Sequence, residues 1–410
     1  MKLKRQNRIN LLSRLKNHEL NSAVVVLGKN GEGKSRLLVE LIPEAKYYNY
    51  NNVIAVSTSP FDKFPIRKEF KGIKYNYVGV KGGSSGNSIL SLISTASLGL
   101  LDYKKNKDNS IEKILSFLDA SSEVEYVFKL NTTHSQLYTQ RNLFGKNIYS
   151  TKAAGADEKK LECTEEEFYL IDKYLSILDN SIDSNKNFRV RLHIGEIAYI
   201  RNQFEKNYNI NELVQLLLRF NLIKLIDFRI EKKDLGWMSL RLASSGEQCI
   251  LLSLLGITAN IDHNSLILID EPEISLHPEW QERYITLMMQ LFERFYNCMF
   301  VIATHSPQMV SKLSPTRSFI YMIQSDELLD ASEYSKRSSD FQLANLFCAP
   351  GYKNEYLTRV LISFLTEPLE YINTRKMDEI NSIISLKKSV DPLDPVHRLI
   401  ELSQKVLSRL

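Results

Sequence analysis

Short apolar runs recur along the chain and predict the strands of a buried sheet. Residues 23–27, 265–270 and 299–304 are apolar almost throughout, which is typical of parallel strands that are covered on both faces. Residues 52–57 and 74–80 are also strand-like, because β-branched and aromatic side chains dominate them. These five runs predict the central sheet of an α/β fold.

Helical periodicity fills much of the remaining chain. The stretch 34–42 predicts a helix that Pro43 ends, because proline cannot continue the hydrogen-bond ladder. Residues 1–20 predict a short basic amphipathic helix. The segment 91–226 has few glycines and no proline, and it predicts a large, mostly helical insertion, whereas residues 326–410 predict a helical C-terminal region.

The fold class predicted from these patterns is α/β, with a mostly parallel sheet that the insertion interrupts. We expect residues 1–90 to form the first part of the core and residues 227–325 to form the second part. The insertion (91–226) and the C-terminal region (326–410) complete the organisation. Strand-like residues on both sides of Asp234-Leu235-Gly236 predict a hairpin at the start of the second core part.

Composition narrows the functional classes only slightly. The 410 residues carry a net charge of +5 with a pI near 8.7, which permits contact with nucleic acid without requiring it. The four cysteines are scattered, so a zinc site or a disulfide framework is not expected. No apolar run is long enough for a membrane span, and the basic N-terminus lacks the apolar core of a signal peptide. We therefore expect a cytoplasmic protein.

Residues 28–35, Gly-Lys-Asn-Gly-Glu-Gly-Lys-Ser, match the phosphate-loop pattern in full. Glycines let successive backbone N–H groups face phosphate oxygens, Lys34 reaches the terminal phosphates, and the Ser35 hydroxyl binds Mg²⁺. The alternative is a glycine-rich turn with a lone lysine. The preceding strand and following helix favour nucleotide binding, because they supply the context that the pattern needs.

Two acids follow the apolar run 265–270 at its carboxyl end. Asp270 is well placed to hold Mg²⁺ or its water, and the adjacent Glu271 to polarise an attacking water. A strand that simply meets solvent at a charged end is the alternative. It is the weaker interpretation beside a phosphate loop.

Two further motifs are weak by themselves. Residues 244–248, Ser-Ser-Gly-Glu-Gln, begin a long apolar helix, so that Ser244 and the Gly246 amide form an anion site, although serine-rich helix caps are common. His305 follows the apolar run 299–304, where it is placed to contact a γ-phosphate. A lone histidine at a strand end is more often structural.

The order of the four motifs resembles the ABC-type ATPase cassette over residues 20–90 and 228–325. That resemblance implies ATP and Mg²⁺ as cofactors and a homodimer, or a higher oligomer, that closes around two ATPs. Glu271 would be the general base, His305 would sense the γ-phosphate, and Ser35 and Asp270 would hold the metal. The implied nucleotide contacts are Gly28, Asn30, Gly31, Gly33, Lys34, Ser35 and Arg36 in one chain and Ser244, Gly246 and Glu247 from the other.

The signature and the acidic motif resemble the SMC/RecF/OLD branch of this family. The single cassette and the large insertion argue against a transporter or a two-cassette translation factor. The long coiled-coil arms of chromosome-organising members are not predicted here. Residues 326–410 show no acidic cluster typical of the OLD nuclease, so we expect no nuclease in this chain.

At a finer level, residues 53–65 and the following Tyr-rich strand resemble ATPase subunits of Septu-type and retron-associated antiphage systems. The expected function is an ATPase that regulates or scaffolds a separate effector nuclease. The alternative is a RecF-type repair or recombination ATPase that acts on DNA. Asp62 and Lys63 are expected to lie in a solvated turn. Two departures from the cassette pattern are the missing leading strands, which leave base preference open, and a glutamine loop that has no glutamine after 77–80.

Overall fold

The computed structural model describes residues 11–14, 20–66, 69–81, 110–131, 148–151, 159–162, 164–179, 182–193, 199–200, 210–220, 222–368 and 373–408. It divides the chain into two compact units, Met1–Tyr77 with Ile261–Leu410, and Val78–Asn260. The second unit thus contains the serine-rich signature helix as well as the insertion, a boundary later in the chain than residue 226.

The described strands, numbered in chain order, are β1 (Ser22–Leu27), β2 (Asn52–Ser57), β3 (Lys74–Gly79), β4 (Ala120–Leu130), β5 (Ile148–Thr151), β6 (Lys159–Glu162), β7 (Asn187–His193), β8 (Tyr199–Ile200), β9 (Ile223–Lys232), β10 (Gly236–Ser239), β11 (Ser265–Asp270), β12 (Met299–Ala303), β13 (Ser318–Met322) and β14 (Glu327–Asp330). The described α-helices are α1 (Leu11–Arg14), α2 (Lys34–Glu44), α3 (Ser110–Phe117), α4 (Glu165–Asp179), α5 (Ile210–Arg219), α6 (Ser245–Asn260), α7 (Pro278–Leu291), α8 (Pro307–Ser311), α9 (Ser339–Asn345), α10 (Glu355–Thr366), α11 (Thr374–Ser385) and α12 (Pro395–Leu407).

A seven-stranded, mostly parallel sheet is built in the order β14-β13-β1-β12-β11-β2-β3. The pairs from β13 to β2 are all parallel, and β14 is antiparallel to β13. Strands β1, β2, β11 and β12 are buried along their whole length. The predicted α/β class with a mostly parallel sheet is confirmed, since uninterrupted apolar runs fit strands that are covered on both faces.

Register brings the carboxyl ends of the central strands to one edge of this sheet. Asp270, at the end of β11, pairs with Ala303 of β12 and with Ser57 of β2. On the other side of β12, Ala303 pairs with Val26 of β1. The phosphate loop, the acidic pair and the histidine therefore follow neighbouring strands, and ligands of open α/β sheets bind at this edge.

Helix α2 differs from its prediction at the C-terminal end. It continues through Pro43 to Glu44. A proline in the last turn removes one hydrogen bond, but the Ala45 N–H still donates to the carbonyls of Leu41 and Ile42. The structure describes two parts of the amphipathic helix predicted over residues 1–20, namely α1 and Leu20. In α1, Leu11 and Leu12 are buried. The rest of the predicted helix lies outside the described residues.

The second unit contains an antiparallel five-stranded sheet in the order β10-β9-β4-β7-β8 and a separate β5-β6 pair. The predicted hairpin is confirmed as β9 and β10, where Trp237 lies opposite Glu231. Within 91–226 the structure describes helices α3, α4 and α5, but β4 and β7 lie in the same segment, so its described part is not mostly helical. Strand β7 forms because apolar and polar residues alternate along it, so that Phe188, Val190 and Leu192 are buried on one face of the sheet.

A fully buried carboxylate sits on β4 of this sheet. Glu125 is 0% exposed, and Arg191 and Arg229, on the two neighbouring strands, donate to it at 2.9 and 3.0 Å. Arg189 lies 3.9 Å from the same carboxylate. The three guanidinium groups compensate the buried charge, which would otherwise be costly.

Helices α9 to α12 confirm the predicted helical C-terminal region. Their shared core includes Leu357, Leu361, Phe364, Ile380 and Ile400. Asn354, Asn373 and Asp394 cap three of these helices through their side chains. Within the described ranges, no helix is both long and apolar enough to cross a bilayer.

Candidate functional site

The phosphate loop joins β1 to α2 with a backbone that glycine permits. Gly31 and Gly33 have φ values of 82° and 98°, in the left-handed region. Gly28 has no room for a side chain, since a Cβ there would lie 2.3 Å from Ile323 Cγ2. Glu32 closes the loop by accepting the Lys29 N–H at 2.6 Å, and its other oxygen accepts from Gln324.

Lys34 is held inside this loop by contacts with a carbonyl and an imidazole. Its ammonium donates to the Gly28 carbonyl at 2.9 Å and also contacts the imidazole Nε2 of His305. No described carboxylate lies within salt-bridge distance of it. Burial lowers the pKa of Lys34, and the nearby carboxylates of Glu271 and Asp270 act in the opposite direction. A buried cation among loop carbonyls and N–H groups fits a phosphate.

Ser35 and Asp270 form a pair of oxygen ligands beside the loop. The Ser35 hydroxyl donates to Asp270 Oδ1 at 3.1 Å. Burial raises the pKa of Asp270 to about 6, the Ser35 hydrogen bond opposes the rise, and Glu271, Asp62 and Glu273 add to it. A hydroxyl and a buried carboxylate among other acids suit Mg²⁺, which prefers hard oxygen ligands and would favour the charged form.

Glu271 begins the turn after β11 with a strained backbone. Its φ of 48° lies in the left-handed region, and its N–H donates to Ala303 O at 2.9 Å, which holds that conformation. The Glu271 carboxylate lies 3.6 Å from His305 Nε2, and the two side chains are 33% and 31% exposed. Burial and the neighbouring Lys34 lower the pKa of His305. A partly exposed carboxylate beside a neutral imidazole is suited to accept a proton from water.

Glu273 is a site residue that the sequence analysis did not single out. Its Oε1 accepts the His305 N–H at 2.5 Å, and burial raises its pKa although that hydrogen bond opposes the rise. The carboxylate therefore ties the acidic turn to the end of β12. The second glutamate of the Glu-Pro-Glu sequence was the only signal, and sequence alone does not show which of the two faces the histidine.

These groups line one cavity of about 440 Å³, within the range of small-ligand sites. Six of the seven nucleotide contacts predicted in residues 28–36 line this cavity. The predicted general base, Glu271, and the predicted γ-phosphate sensor, His305, line it as well. Gly28 and Asp270 are not lining residues, but they contact Lys34 and Ser35, which are. The lining residues are Asn30, Gly31, Glu32, Gly33, Lys34, Ser35, Arg36, Val39, Lys63, Glu271 and His305.

The turn after β2 differs from the solvated turn that was expected. Asp62 is 4% exposed, and its carboxylate accepts the Phe64 N–H at 2.8 Å and the Tyr77 hydroxyl at 2.7 Å. These two hydrogen bonds compensate the desolvation of the buried carboxylate. The prediction that Asp62 lies in a solvated turn was therefore wrong. Lys63 is exposed, as expected, but it also lines the cavity.

In the second unit, the signature residues form the capped start of α6. Ser244 Oγ accepts the Glu247 N–H at 3.3 Å, and Glu247 Oε2 accepts the Ser244 N–H at 2.8 Å, which is a reciprocal capping box. Glu247 also pairs with Lys232 at 2.6 Å. Burial of the Glu247 carboxylate acts to raise its pKa, but the hydrogen bonds from Lys232 and Ser244 outweigh burial and lower the pKa. Ser244 is exposed and Gly246 is buried.

Comparison with known proteins matches a family model to a range that includes three of the four motifs. A sequence profile described as "AAA domain, putative AbiEii toxin, Type IV TA system" matches residues 98–311, a range that contains the signature, Asp270, Glu271 and His305 but not the phosphate loop.

A curated protein of Escherichia coli, "Retron Ec83 probable ATPase", is 24% identical over 180 residues, 38% of this chain. Those residues are 32% of the relative, so the chain spans about a third of its length. The crystal structure of Stu0660 of Streptococcus thermophilus aligns with 95% of this chain and 90% of its own at 9% identity, with a TM-score of 0.30.

Proposed function

The chain belongs to this AAA domain family, and on that premise we propose that it binds ATP with Mg²⁺ at the phosphate loop and hydrolyses the γ-phosphate bond. One observation carries the proposal: Lys34, Ser35, Glu271 and His305 line a single cavity, and Asp270 touches it through Ser35. Four residues from three separate segments of chain meet where phosphates, a metal and a water molecule would have to meet.

Each residue has a role that its surroundings suit. The loop N–H groups and Lys34 bind the phosphates, because Lys34 has no described carboxylate partner to lose. Ser35 and Asp270 hold Mg²⁺, which when bound offsets phosphate charge. Glu271 accepts a proton from the attacking water, and His305 contacts the γ-phosphate. Arg36 and Asn30, both exposed in the cavity, contact the nucleotide further along.

We further propose that two chains close around ATP. Ser244, Gly246 and Glu247 would contact the γ-phosphate held by the opposite chain. The exposure of Ser244 at the start of a 16-residue helix supports this role, since a helix N-terminus favours an anion. The capping box holds the serine in place before any partner arrives.

The ATP-dependent state would regulate a separately encoded effector nuclease in antiphage defence. The retron ATPase relative supports this role, although the aligned part is about a third of that protein. The alternative remains a RecF-type ATPase on DNA, for which the charge of +5 gives only mild support.

Nucleotide binding and phosphate release test the first part of the proposal. Wild-type protein should bind MgATP and release phosphate, and Lys34→Ala should lose at least about tenfold in affinity, because a charged hydrogen-bond donor to the phosphates is removed. Lys29→Ala is the matched control, since Lys29 is an exposed lysine of the same loop whose side chain does not line the cavity. Equal ATP affinity in Lys34→Ala and Lys29→Ala would refute the phosphate-loop assignment.

Affinity purification from the native host tests the regulatory part. Mass spectrometry should find a nuclease chain at fixed stoichiometry, with or without nucleic acid. Recombination proteins, or DNA without any protein partner, would instead support the repair function. DNA-stimulated hydrolysis with steep salt dependence would then be expected.

A further inference from the structure

Lys63 reaches the nucleotide cavity from a segment that none of the four motifs includes. It follows β2, whereas the phosphate loop follows β1 and the acidic turn follows β11. Its side chain is exposed and lines the cavity together with Lys34 and Arg36. It makes no hydrogen bond or ion pair with any residue in the described ranges, so its ammonium is available to a ligand.

The backbone around Lys63 is firmly held on both sides. Asp62 is buried and accepts from the Phe64 N–H and the Tyr77 hydroxyl at 2.8 and 2.7 Å. Phe64 is 1% exposed in the core, and Tyr75 donates to Pro65 O at 2.8 Å. The turn thus fixes where the lysine begins, which reduces the entropy that is lost when its ammonium meets a ligand.

The charges of the cavity favour an anion in contact with Lys63. Its acidic lining residues have other contacts: Glu32 accepts from Lys29 N–H and Gln324, and Glu271 lies 3.6 Å from His305. Among the lining residues, the three cations Lys34, Arg36 and Lys63 outnumber the two acids by one formal charge. Two acids outside the lining have their own partners, since Asp270 accepts from Ser35 and Glu273 accepts the His305 N–H. A polyphosphate complements such a lining, and a flexible lysine can pair with it as a point charge.

We propose that Lys63 is a nucleotide-contacting residue whose ammonium pairs with the phosphate chain, so that affinity rises with the number of phosphates. This inference rests on the proposed nucleotide binding at the phosphate loop. It assigns to the turn after β2 a function that a solvated loop lysine would not have. Lys63 binds substrate and is not assigned a proton transfer.

Isothermal titration of the full chain with MgATP, MgADP and AMP tests the assignment. Lys63→Met should raise the Kd for ATP about tenfold, raise that for ADP less, and leave that for AMP unchanged, because a charged contact to the outer phosphates is lost. Lys63→Arg should keep the wild-type order, and Lys63→Glu should weaken ATP binding further through repulsion. Lys71→Met, an exposed lysine of the same unit outside the cavity, is the control.

The outcomes separate this inference from the function on which it rests. If wild type binds ATP, Lys34→Ala loses it, and Lys63→Met matches Lys71→Met, the role of Lys63 is refuted while the phosphate loop stands. Equal weakening of AMP and ATP would also refute it, because the contact would not depend on phosphate number. If wild type binds no nucleotide, the proposed function itself fails. Unchanged thermal unfolding of each variant excludes loss of the fold.

Discussion

The Ser35 hydroxyl donates a 3.1 Å hydrogen bond to Asp270 Oδ1, across 235 residues of sequence. This contact connects the phosphate loop to the end of β11 inside one compact unit. A metal ion beside ATP needs both oxygens at one place, and the parallel sheet brings them there because β1 and β11 both flank β12.

Removal of the Asp270 carboxylate should abolish the advantage that Mg²⁺ gives to ATP binding. Asp270→Asn should bind ATP with about the same Kd in Mg²⁺ and in EDTA, because a neutral amide is a poor ligand for a hard cation. Titrations of a fluorescent ATP analogue in both buffers measure this. Asp262→Asn is the control, since the Asp262 carboxylate forms an exposed pair with Lys74. A metal dependence that persists in Asp270→Asn would remove Asp270 from the metal site.

Glu271→Gln should retain ATP binding and lose turnover by about 10²–10⁴-fold, the usual contribution of a general base. The variant should also accumulate as an ATP-bound dimer, visible by light scattering. Glu273→Gln is the informative comparison. Its amide oxygen can still accept the His305 N–H, so it should keep more activity than Glu271→Gln. Normal turnover in Glu271→Gln, or a larger loss in Glu273→Gln, would reverse the assignment of the base.

Two substitutions of Ser244 can separate helix capping from contact with a second chain. Ser244→Ala loses the cap and should lower the stability by about 1 kcal/mol, whereas asparagine is a good N-cap and should preserve it. Both remove the hydroxyl and should reduce ATP-driven dimerisation. Dimer formation in ATP and the thermal midpoint are measured together. If Ser244→Asn dimerises like wild type, the hydroxyl acts only as a cap.

The buried carboxylate of Glu125 should be essential to the stability of the second unit. Glu125→Gln removes the counter-charge that Arg191 and Arg229 share and should cost about 1.5–3 kcal/mol, because charge-assisted hydrogen bonds are lost while the partly exposed arginines keep contact with water. Urea unfolding followed by circular dichroism measures the loss. Glu123→Gln, on the same strand but partly exposed beside His193, should change stability little. Equal stabilities of the two variants would contradict the assigned role of the cluster.

Local patterns predicted the core strands well. Strands β2 and β11 begin and end as their apolar runs do, and the turn at Asp234-Leu235-Gly236 joins two antiparallel strands as expected. Such runs determine structure locally, since four consecutive apolar residues are readily buried in a strand that is covered on both faces. The end of α2 was misjudged, because a proline in the last turn costs less than one in the helix interior.

The sequence of the insertion contains a strand pattern as well as the helical patterns on which its prediction rested. In β7, apolar Phe188, Val190 and Leu192 alternate with polar residues, which is a strand period, but the surrounding helical stretches dominated the interpretation. Burial of Glu125 could not be seen in this way. It depends on arginines from two neighbouring strands, at sequence separations of 66 and 104 residues.

The sequence by itself determined the chemistry that is available: a glycine-rich loop with Lys34 and Ser35, an acidic pair at a strand end, and a histidine after another strand. Side-chain type and local backbone preference are written in neighbouring residues, so short patterns are enough. The tertiary structure decided which groups meet. The sheet register brings His305 into contact with Lys34. Asp62 is buried by its hydrogen bond with Tyr77, and the turn that this hydrogen bond holds places Lys63 at the cavity. These relations depend on long-range packing, which no local pattern contains.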